Sequence, residues 1–479
     1  MWYWKKCAQY RAKSKGFPLP PGPPRNHLIG NLLDIPSSLP WNRFLEWKYQ
    51  YGDIVSVEVL GNRIILLNSI ATANDLLQKR SNNYSDRLVP RMGGKLMGLD
   101  QSFTMLPLGP AWKQQRKLTH TSLSAEAVRK YFTIQEDIAA LYLDGLIMNP
   151  KDFISQLRLA TGRIIMSITY GFPIQTSDNL YISEAESTMR LIGESMVPGA
   201  YLVDLIPWLS RLPSWLPFNT IHKTAASGRA QIETMTLRPF EHVKCDMEAG
   251  TAHPSFTLDC LKDLQSADTY AVVLSFILAM AKYPKVQEAI KKEIDQVVGG
   301  ERLPTFQDRV NLPYVNATIK EALRWKAALP LGFARTVKND DFFQGYYIPA
   351  GSIVLSNIWA IAHDEKSGIL PEEFCPERFL KNHVHETAID PYTYVFGFGP
   401  RVCPGKSLGD NNLFALVTGL MATMNIMSPI GADGKPVNID PQYTSGFVSH
   451  SESFDVIITP RSAQATELIK ERVSHTTSQ

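Results

Sequence analysis

This chain lacks most of the features that would place it in a specialised class at sight. Its 479 residues carry 49 Lys and Arg against 46 Asp and Glu, a formal net charge of +3, with the two signs interspersed. Without a basic surplus or block, nucleic acid is not an expected partner. Cysteine is scarce: Cys7, Cys245, Cys260, Cys375 and Cys403 are odd in number, far apart and form no C-x-x-C pair. That argues against a disulfide framework and a structural zinc site, and it fits a reduced compartment. No apolar run approaches the roughly 20 residues that span a bilayer, and no signal-peptide core is present. Internal repeats, long low-complexity tracts and an inter-domain linker are missing too. A single large domain of several packed layers is therefore expected, although length alone would suggest about three domains.

What is present begins with MWYWKKCAQYRAKSKGFPLPPGPP, an aromatic stub, a basic flank and a stiff Pro-rich stretch. It reads as the end of a membrane anchor or, more blandly, as a polar tail. DIVSVEVLGNRIILLNS reads as two strands joined by a tight turn at Gly61–Asn62, and a helix, ATANDLLQKR, follows. From about residue 110 to 330, apolar residues recur at three- and four-residue spacing, as in PKVQEAIKKEIDQVV and LPYVNATIKEALRW, which is the helical period. A second strand region occupies FFQGYYIPAGSIVLSNIWAI, with turns at Gly345 and Pro349–Gly351. Another helix is expected in KSLGDNNLFALVTGLMATM and a closing hairpin in YTSGFVSHSESFDVIITP. The expected fold class is mainly α with small β-sheets. MVPGAYLVDLIPWLSRLPSWLPF mixes aromatics with prolines, so it is not one regular helix. It reads as a buried irregular connection or as a loop dipping into a membrane surface.

The sharpest local signal is FGFGPRVCPGKSLG, residues 396–409. Gly397, Gly399 and Gly405 surround Cys403, and glycine reaches the φ > 0 turns that let backbone N–H groups converge on a sulfur. The helical pattern that starts at once offers its positive dipole end to a thiolate and lowers its pKa. Arg401 can neutralise a nearby anion. The pattern suits a stabilised thiolate that binds a metal. A nucleophilic cysteine would use similar help but normally also a histidine base, and none lies nearby in sequence.

This stretch resembles the heme-binding signature of the cytochrome P450 family, Phe-x-x-Gly-x-Arg-x-Cys-x-Gly, with Phe396, Gly399, Arg401, Cys403 and Gly405 in place. In EALR, Glu321 and Arg324 share a helix face, by itself a surface ion pair of little worth. The resemblance joins them to Arg378 of PERF as a structural triad that pins the thiolate loop. WKQQR sets Trp112 and Arg116 at i, i+4, a common Trp–Arg stack that the resemblance turns into donors to a heme propionate. Arg335 takes another propionate position, and Arg401 completes the set of cations. Likeness extends from PLPPGPP to the C-terminal SGF turn, and is similar within the family to fungal secondary-metabolism members of the O-methylsterigmatocystin oxidoreductase type. It implies one cytochrome P450 catalytic domain over residues 25–465, after an anchor remnant and hinge at 1–24 and before a polar tail at 466–479. It also implies heme b with Cys403 as axial iron ligand, and insertion of one atom of O2 into a small apolar metabolite. Electrons would come from NADPH through cytochrome P450 reductase, with cytochrome b5 as a further partner, at the cytoplasmic face of the endoplasmic reticulum membrane. Substrate contacts are expected around SDRLVPRMGGKLMG, residues 196–218, residues 329–334 and the SGFVS turn.

The family's proton-delivery pattern, [Ala/Gly]-Gly-x-[Asp/Glu]-Thr-[Thr/Ser], meets Gln265-Ser266-Ala267-Asp268-Thr269-Tyr270 here. Asp268 and Thr269 match as the catalytic acid–alcohol pair, which accounts for a carboxylate in an otherwise apolar run. Ser266 is small enough for the same opening of the helix, whereas Gln265 and Tyr270 depart from the pattern. Several apolar turns are also lacking ahead of the pair. Pro254 stands about fourteen residues before Asp268, room for roughly 20 Å of helix, and the intervening FTLDCLKDLQ is polar. Either residues are absent from this chain, leaving a catalytically impaired heme-binding protein, or the polar segment forms the helix under a more open pocket. The first is the favoured reading. A third keeps the fold for isomerisation or dehydration without external electrons, and the retained Asp268–Thr269 pair argues against it.

Overall fold

A computed structural model of the chain describes residues 12–172, 179–197, 199–213, 215, 220–251, 253, 255, 257, 267–364, 369–380 and 388–477. The aromatic stub, Pro254, Gln265, Ser266 and the side chain of Asp268 lie outside the described residues. Eleven described α-helices run to twelve residues or more: α1 (Pro40–Tyr51), α2 (Pro110–Leu123), α3 (Phe132–Met148), α4 (Phe153–Tyr170), α5 (Leu180–Met196), α6 (Ile221–Ala249), α7 (Ala267–Lys282), α8 (Pro284–Val297), α9 (Pro313–Trp325), α10 (Lys406–Thr423) and α11 (Ala463–Thr477). Four of them, α1, α2, α8 and α9, open on proline at the first turn, where its missing N–H leaves no intrahelical bond unmade.

The core is centred on α7. Every residue from Ala271 to Ala281 is buried, so this helix is enclosed on all sides. Neighbouring helices complete one contiguous cluster, with Tyr142 and Leu143 from α3, Ile164 and Ile168 from α4, Ile319 and Leu323 from α9, and Phe414 and Leu420 from α10. A five-stranded sheet of order β1-β2-β7-β4-β3 flanks the helices. Its strands are β1 (Ile54–Val59), β2 (Asn62–Leu67), β3 (Asp86–Arg87), β4 (Arg335–Thr336) and β7 (Ile353–Ser356), while β5 (Asp341–Phe343) and β6 (Tyr346–Ile348) form a separate hairpin.

Several expectations shift in detail. Val59 pairs with Asn62, so the first turn is Leu60–Gly61 rather than Gly61–Asn62. Both turn residues are left-handed, at φ 47° and 83°, as the twist of a two-residue hairpin requires. ATANDLLQKR is one α turn, Ile70–Ala73, running into a π turn, Asn74–Lys79. The closing hairpin is only a bridge between Tyr443 and Ser451. The strand after it, β9 (Ile457–Pro460), pairs instead with β8 (Met424–Met427) at the end of α10, which buries Ile426 and Ile458. The Pro-rich stretch is laid on the sheets, accepting from Ser56 N at Pro21 O and from Tyr347 N at Pro18 O.

The expected polar tail is instead helix α11. Ala465, Ile469 and Val473 recur every fourth residue and give it one apolar face, and Ile469 is fully buried. Arg472 donates to Asp137 at 2.6 Å, holding α11 on α3. A cavity of about 350 Å³ lies under this helix, lined in part by Glu136, Phe306, Phe414 and Arg472. The described residues of 196–218 are irregular, as the prolines demand: a turn of helix at Leu202–Leu205, then a 3₁₀ turn at Pro207–Arg211. Leu202, Trp208 and Trp215 are exposed there. No described helix is long and apolar enough to cross a membrane.

Glu321 and Arg324 are buried, not on the surface. Arg324 grips the Glu321 carboxylate through Nε at 2.7 Å and Nη2 at 2.8 Å, and Arg378 reaches it through Nε at 3.1 Å. Cys375 N adds a fourth bond at 2.8 Å. Removing the carboxylate would leave two guanidiniums buried without it, so Glu321→Ala should lower unfolding stability by about 3–5 kcal/mol in urea titrations. Ile469→Ala should cost about 2–5 kcal/mol in the same measurement, since the side chain is wholly inside; a polar tail would give no change.

Candidate active site

The loop that carries Cys403 is shaped by its glycines. Gly397 and Gly399 sit at φ 83° and 57°, and a Cβ on Gly399 would meet Leu77 O at 2.7 Å. Phe396 O accepts from Cys403 N at 2.7 Å, which closes the loop on itself. Gly405 then precedes the first residue of α10. The sulfur is thus carried at a helix N-terminus, where the backbone dipole favours an anion.

Neighbouring elements brace this loop. Lys320 on α9 meets Asp390 at 2.7 Å, and Asp390 caps the 3₁₀ turn Pro391–Thr393. Lys406 donates to Tyr392 O at 2.9 Å, and Tyr392 bonds to Asp410 on α10. Tyr394 is buried, and burial holds its phenol above the ordinary range, with Arg324 pulling against it and Glu321 and Asp390 adding to it. The buried ion set and the cysteine loop are therefore neighbours.

Four arginines surround the loop. On α2, Trp112 stacks with Arg401 rather than with Arg116, the guanidinium lying 4.9 Å from the ring centroid. Arg116, one turn on, donates to Val402 O at 2.8 Å. The cysteine loop docks on this helix face and brings Arg401 to the indole. Arg335 donates to Phe398 O at 2.9 Å and to Leu77 O at 3.4 Å. The fourth, Arg87, was not singled out by motif. Strand β3 pairs with β4 so that Arg87 lies opposite Arg335, a cross-strand register that no local pattern announces.

The electrostatics of this set are unbalanced. Burial, and then Arg401, lower the pKa of Arg335. Burial, then Arg335 and Arg401, lower that of Arg87. Arg401 is lowered by burial, against an opposing pull from Asp86, and Arg116 by burial against Cys403. Arg401 Nη1 is buried without a partner among the described residues. Guanidiniums crowded this way favour an added anion. Beside a helix-capped cysteine, they fit a metal-bearing group with carboxylate arms.

Thr269 is buried on α7, and a Cβ built on Gly409 of α10 would stand 4.0 Å from its Oγ1. The alcohol of the sequence pair is therefore close to the helix that follows Cys403. All four of the stretches expected to touch substrate also converge. Phe333 packs edge-on against Phe447 of the SGFVS turn at 4.6 Å, and Arg87 lies 4.8 Å from the Phe333 ring centroid. Phe333 further joins Leu99, Met105 and Met196 in a small apolar cluster.

Comparison with known proteins agrees with this arrangement. The sequence profile of cytochrome P450 matches residues 20–261 and 264–458. Cytochrome P450 monooxygenase COX1 of Coprinopsis cinerea is 37% identical over 493 residues, covering 97% of this chain and 95% of that protein. Cytochrome P450 monooxygenase 208 of Postia placenta is 37% identical over 479 residues, with 96% and 93% covered. Cytochrome P450 monooxygenase claR of Ampulloclitocybe clavipes is 36% identical over 473 residues, with 94% and 88% covered. The profile match is interrupted at residues 262–263, shortly before Asp268. The first alignment is longer than this 479-residue chain, so that relative carries residues with no counterpart here. With a cysteine loop at a helix N-terminus, a cluster of buried and half-buried arginines and matches over nearly its whole length, the chain belongs to the cytochrome P450 family of heme-thiolate monooxygenases.

Proposed function

We propose that this protein inserts one atom of O2 into a small apolar metabolite of fungal secondary metabolism. NADPH–cytochrome P450 reductase would supply the electrons, with cytochrome b5 as an accessory donor. The observation that carries the reading is the cluster of Arg87, Arg116, Arg335 and Arg401, crowded and short of counter-charge, around the Cys403 loop. Bound heme b would supply dioxygen activation at an iron whose thiolate ligand favours O–O cleavage. Cys403 would be that ligand, its thiolate stabilised by the N-terminus of α10 and by Arg116. The arginines, with Trp112, would hold the two propionates. Asp268 would take protons from water and pass them to the Thr269 hydroxyl, which would hold a proton at Oγ1 for use at the site. Phe333, Phe447 and Met196 support an apolar binding space with few polar handles.

Exposed Leu202, Trp208 and Trp215 support contact with a membrane surface, in keeping with the endoplasmic reticulum. A second reading, heme binding with impaired turnover, is favoured by the interruption of the family match at residues 262–263.

Two experiments decide between these readings. The reduced protein with carbon monoxide should give the strongly red-shifted Soret band of thiolate ligation, and Cys403→Ala should lose it; survival of the band in the variant would sink the ligand assignment. Turnover with reductase and NADPH then separates enzyme from inert binder. In an active enzyme, Thr269→Ala should raise peroxide released per NADPH several-fold at the expense of product, and an unchanged ratio would count against proton delivery by Thr269.

A further inference from the structure

Tyr270 occupies the position where the family pattern has a small hydroxyl residue, and its ring reaches two other elements. Arg158 of α4 stands over it, 5.6 Å from the ring centroid. His450 meets it edge-on at 5.6 Å and 74°. That histidine is itself oriented, its Nδ1 lying 3.0 Å from Ser451 O and its backbone N donating to Thr444 Oγ1 at 3.1 Å. A threonine ends at its γ atoms and has no ring with which to make these two contacts. The next residue back is Thr269, buried beside Gly409.

We propose that Tyr270 is the positioning residue for Thr269. Its ring clamps the start of the described α7 to α4 and the C-terminal loop, in a chain whose match to the family is interrupted just upstream. The clamp accounts for a bulky ring where the pattern has a small side chain, because a helix held firmly from Ala271 onward still needs its first turn fixed. What Thr269 does there rests on the monooxygenase reading; the clamp itself does not.

The test uses the full heme-loaded chain with Tyr270→Phe, Tyr270→Thr and Thr269→Ala, by two measurements that need no substrate. Amide hydrogen exchange over the first two turns of α7 should be about tenfold faster in Tyr270→Thr and near the parent value in Tyr270→Phe, which keeps the ring. The C–O stretch of the reduced carbon-monoxide complex reports the hydroxyl beside the ligand, and Tyr270→Thr should shift it in the same direction as Thr269→Ala. Unchanged exchange in Tyr270→Thr, or equal acceleration in Tyr270→Phe, overturns the clamp. Faster exchange with an unmoved stretch, where Thr269→Ala does move it, overturns positioning. If Thr269→Ala leaves the stretch unmoved while Tyr270→Thr speeds exchange, the clamp stands and the proposed role of Thr269 fails. Should Tyr270→Thr not fold, Arg158→Ala and His450→Ala remove the ring's partners one at a time and carry the same measurements.

Discussion

One buried carboxylate ties together distant segments of this chain. Glu321 is fully inside, and its charge is tolerable only because Arg324 and Arg378 meet it there. Arg324 also donates to Ala362 O, Pro371 O and Glu373 O, groups 38, 47 and 49 residues further along the chain. One guanidinium thereby stitches α9 to segments that local helix or strand pairing could not hold. From this knot the chain passes through Arg378 and the Asp390-capped turn to Tyr394, and then to the glycines around Cys403. Thiolate chemistry requires that the sulfur not wander, and the ion set fixes the ground from which its loop departs.

A second set of arginines, buried or half-buried, obeys the opposite rule. Around Glu321, charges are matched inside the protein and contribute to the fold. Around Cys403, Arg87, Arg335 and Arg401 repel one another, with Asp86 offsetting only part of the charge. Such an arrangement opposes folding when it stands alone, and it is relieved by an anion placed among the guanidiniums. Matched charges are the mark of a structural role, and unmatched ones the mark of a binding role. Each arginine seen only in sequence is the same residue type; the difference lies in which carboxylates the fold brings near it.

That contrast explains what could be read from the chain before its structure. The helical body was legible because apolar periodicity survives in a single sequence, as in PKVQEAIKKEIDQVV and α8. The cysteine loop was legible because its glycines must lie next to the sulfur in sequence as well as in space. Arg87 was not, since its importance arises from a two-residue pairing with β4. The stacking partner of Trp112 was hidden for the same reason: i, i+4 spacing puts Arg116 on its helix face, whereas docking of a loop almost 300 residues away supplies Arg401. The polar tail was misjudged because three small or medium apolar residues at four-residue spacing, in an otherwise polar stretch, gain their value only from the groove on α3 that receives them.

The helix that carries Asp268 and Thr269 shows how folding and catalysis can come apart. From Ala271 to Ala281 it is enclosed by its neighbours, so the hydrophobic stabilisation of the centre is independent of the turns before the acid. A chain shortened ahead of Asp268 would keep this core, the ion set and the cysteine loop intact. The proton delivery proposed for Thr269 would make a stricter demand, because a displacement of about 1 Å can cost on the order of 100-fold in rate. The part of α7 most secure in packing is thus not the part most exacting in chemistry. Tyr270 lies at the boundary between the two. Its ring is anchored on elements that the enclosed half already positions, so the precision of the core extends one residue further, to Thr269.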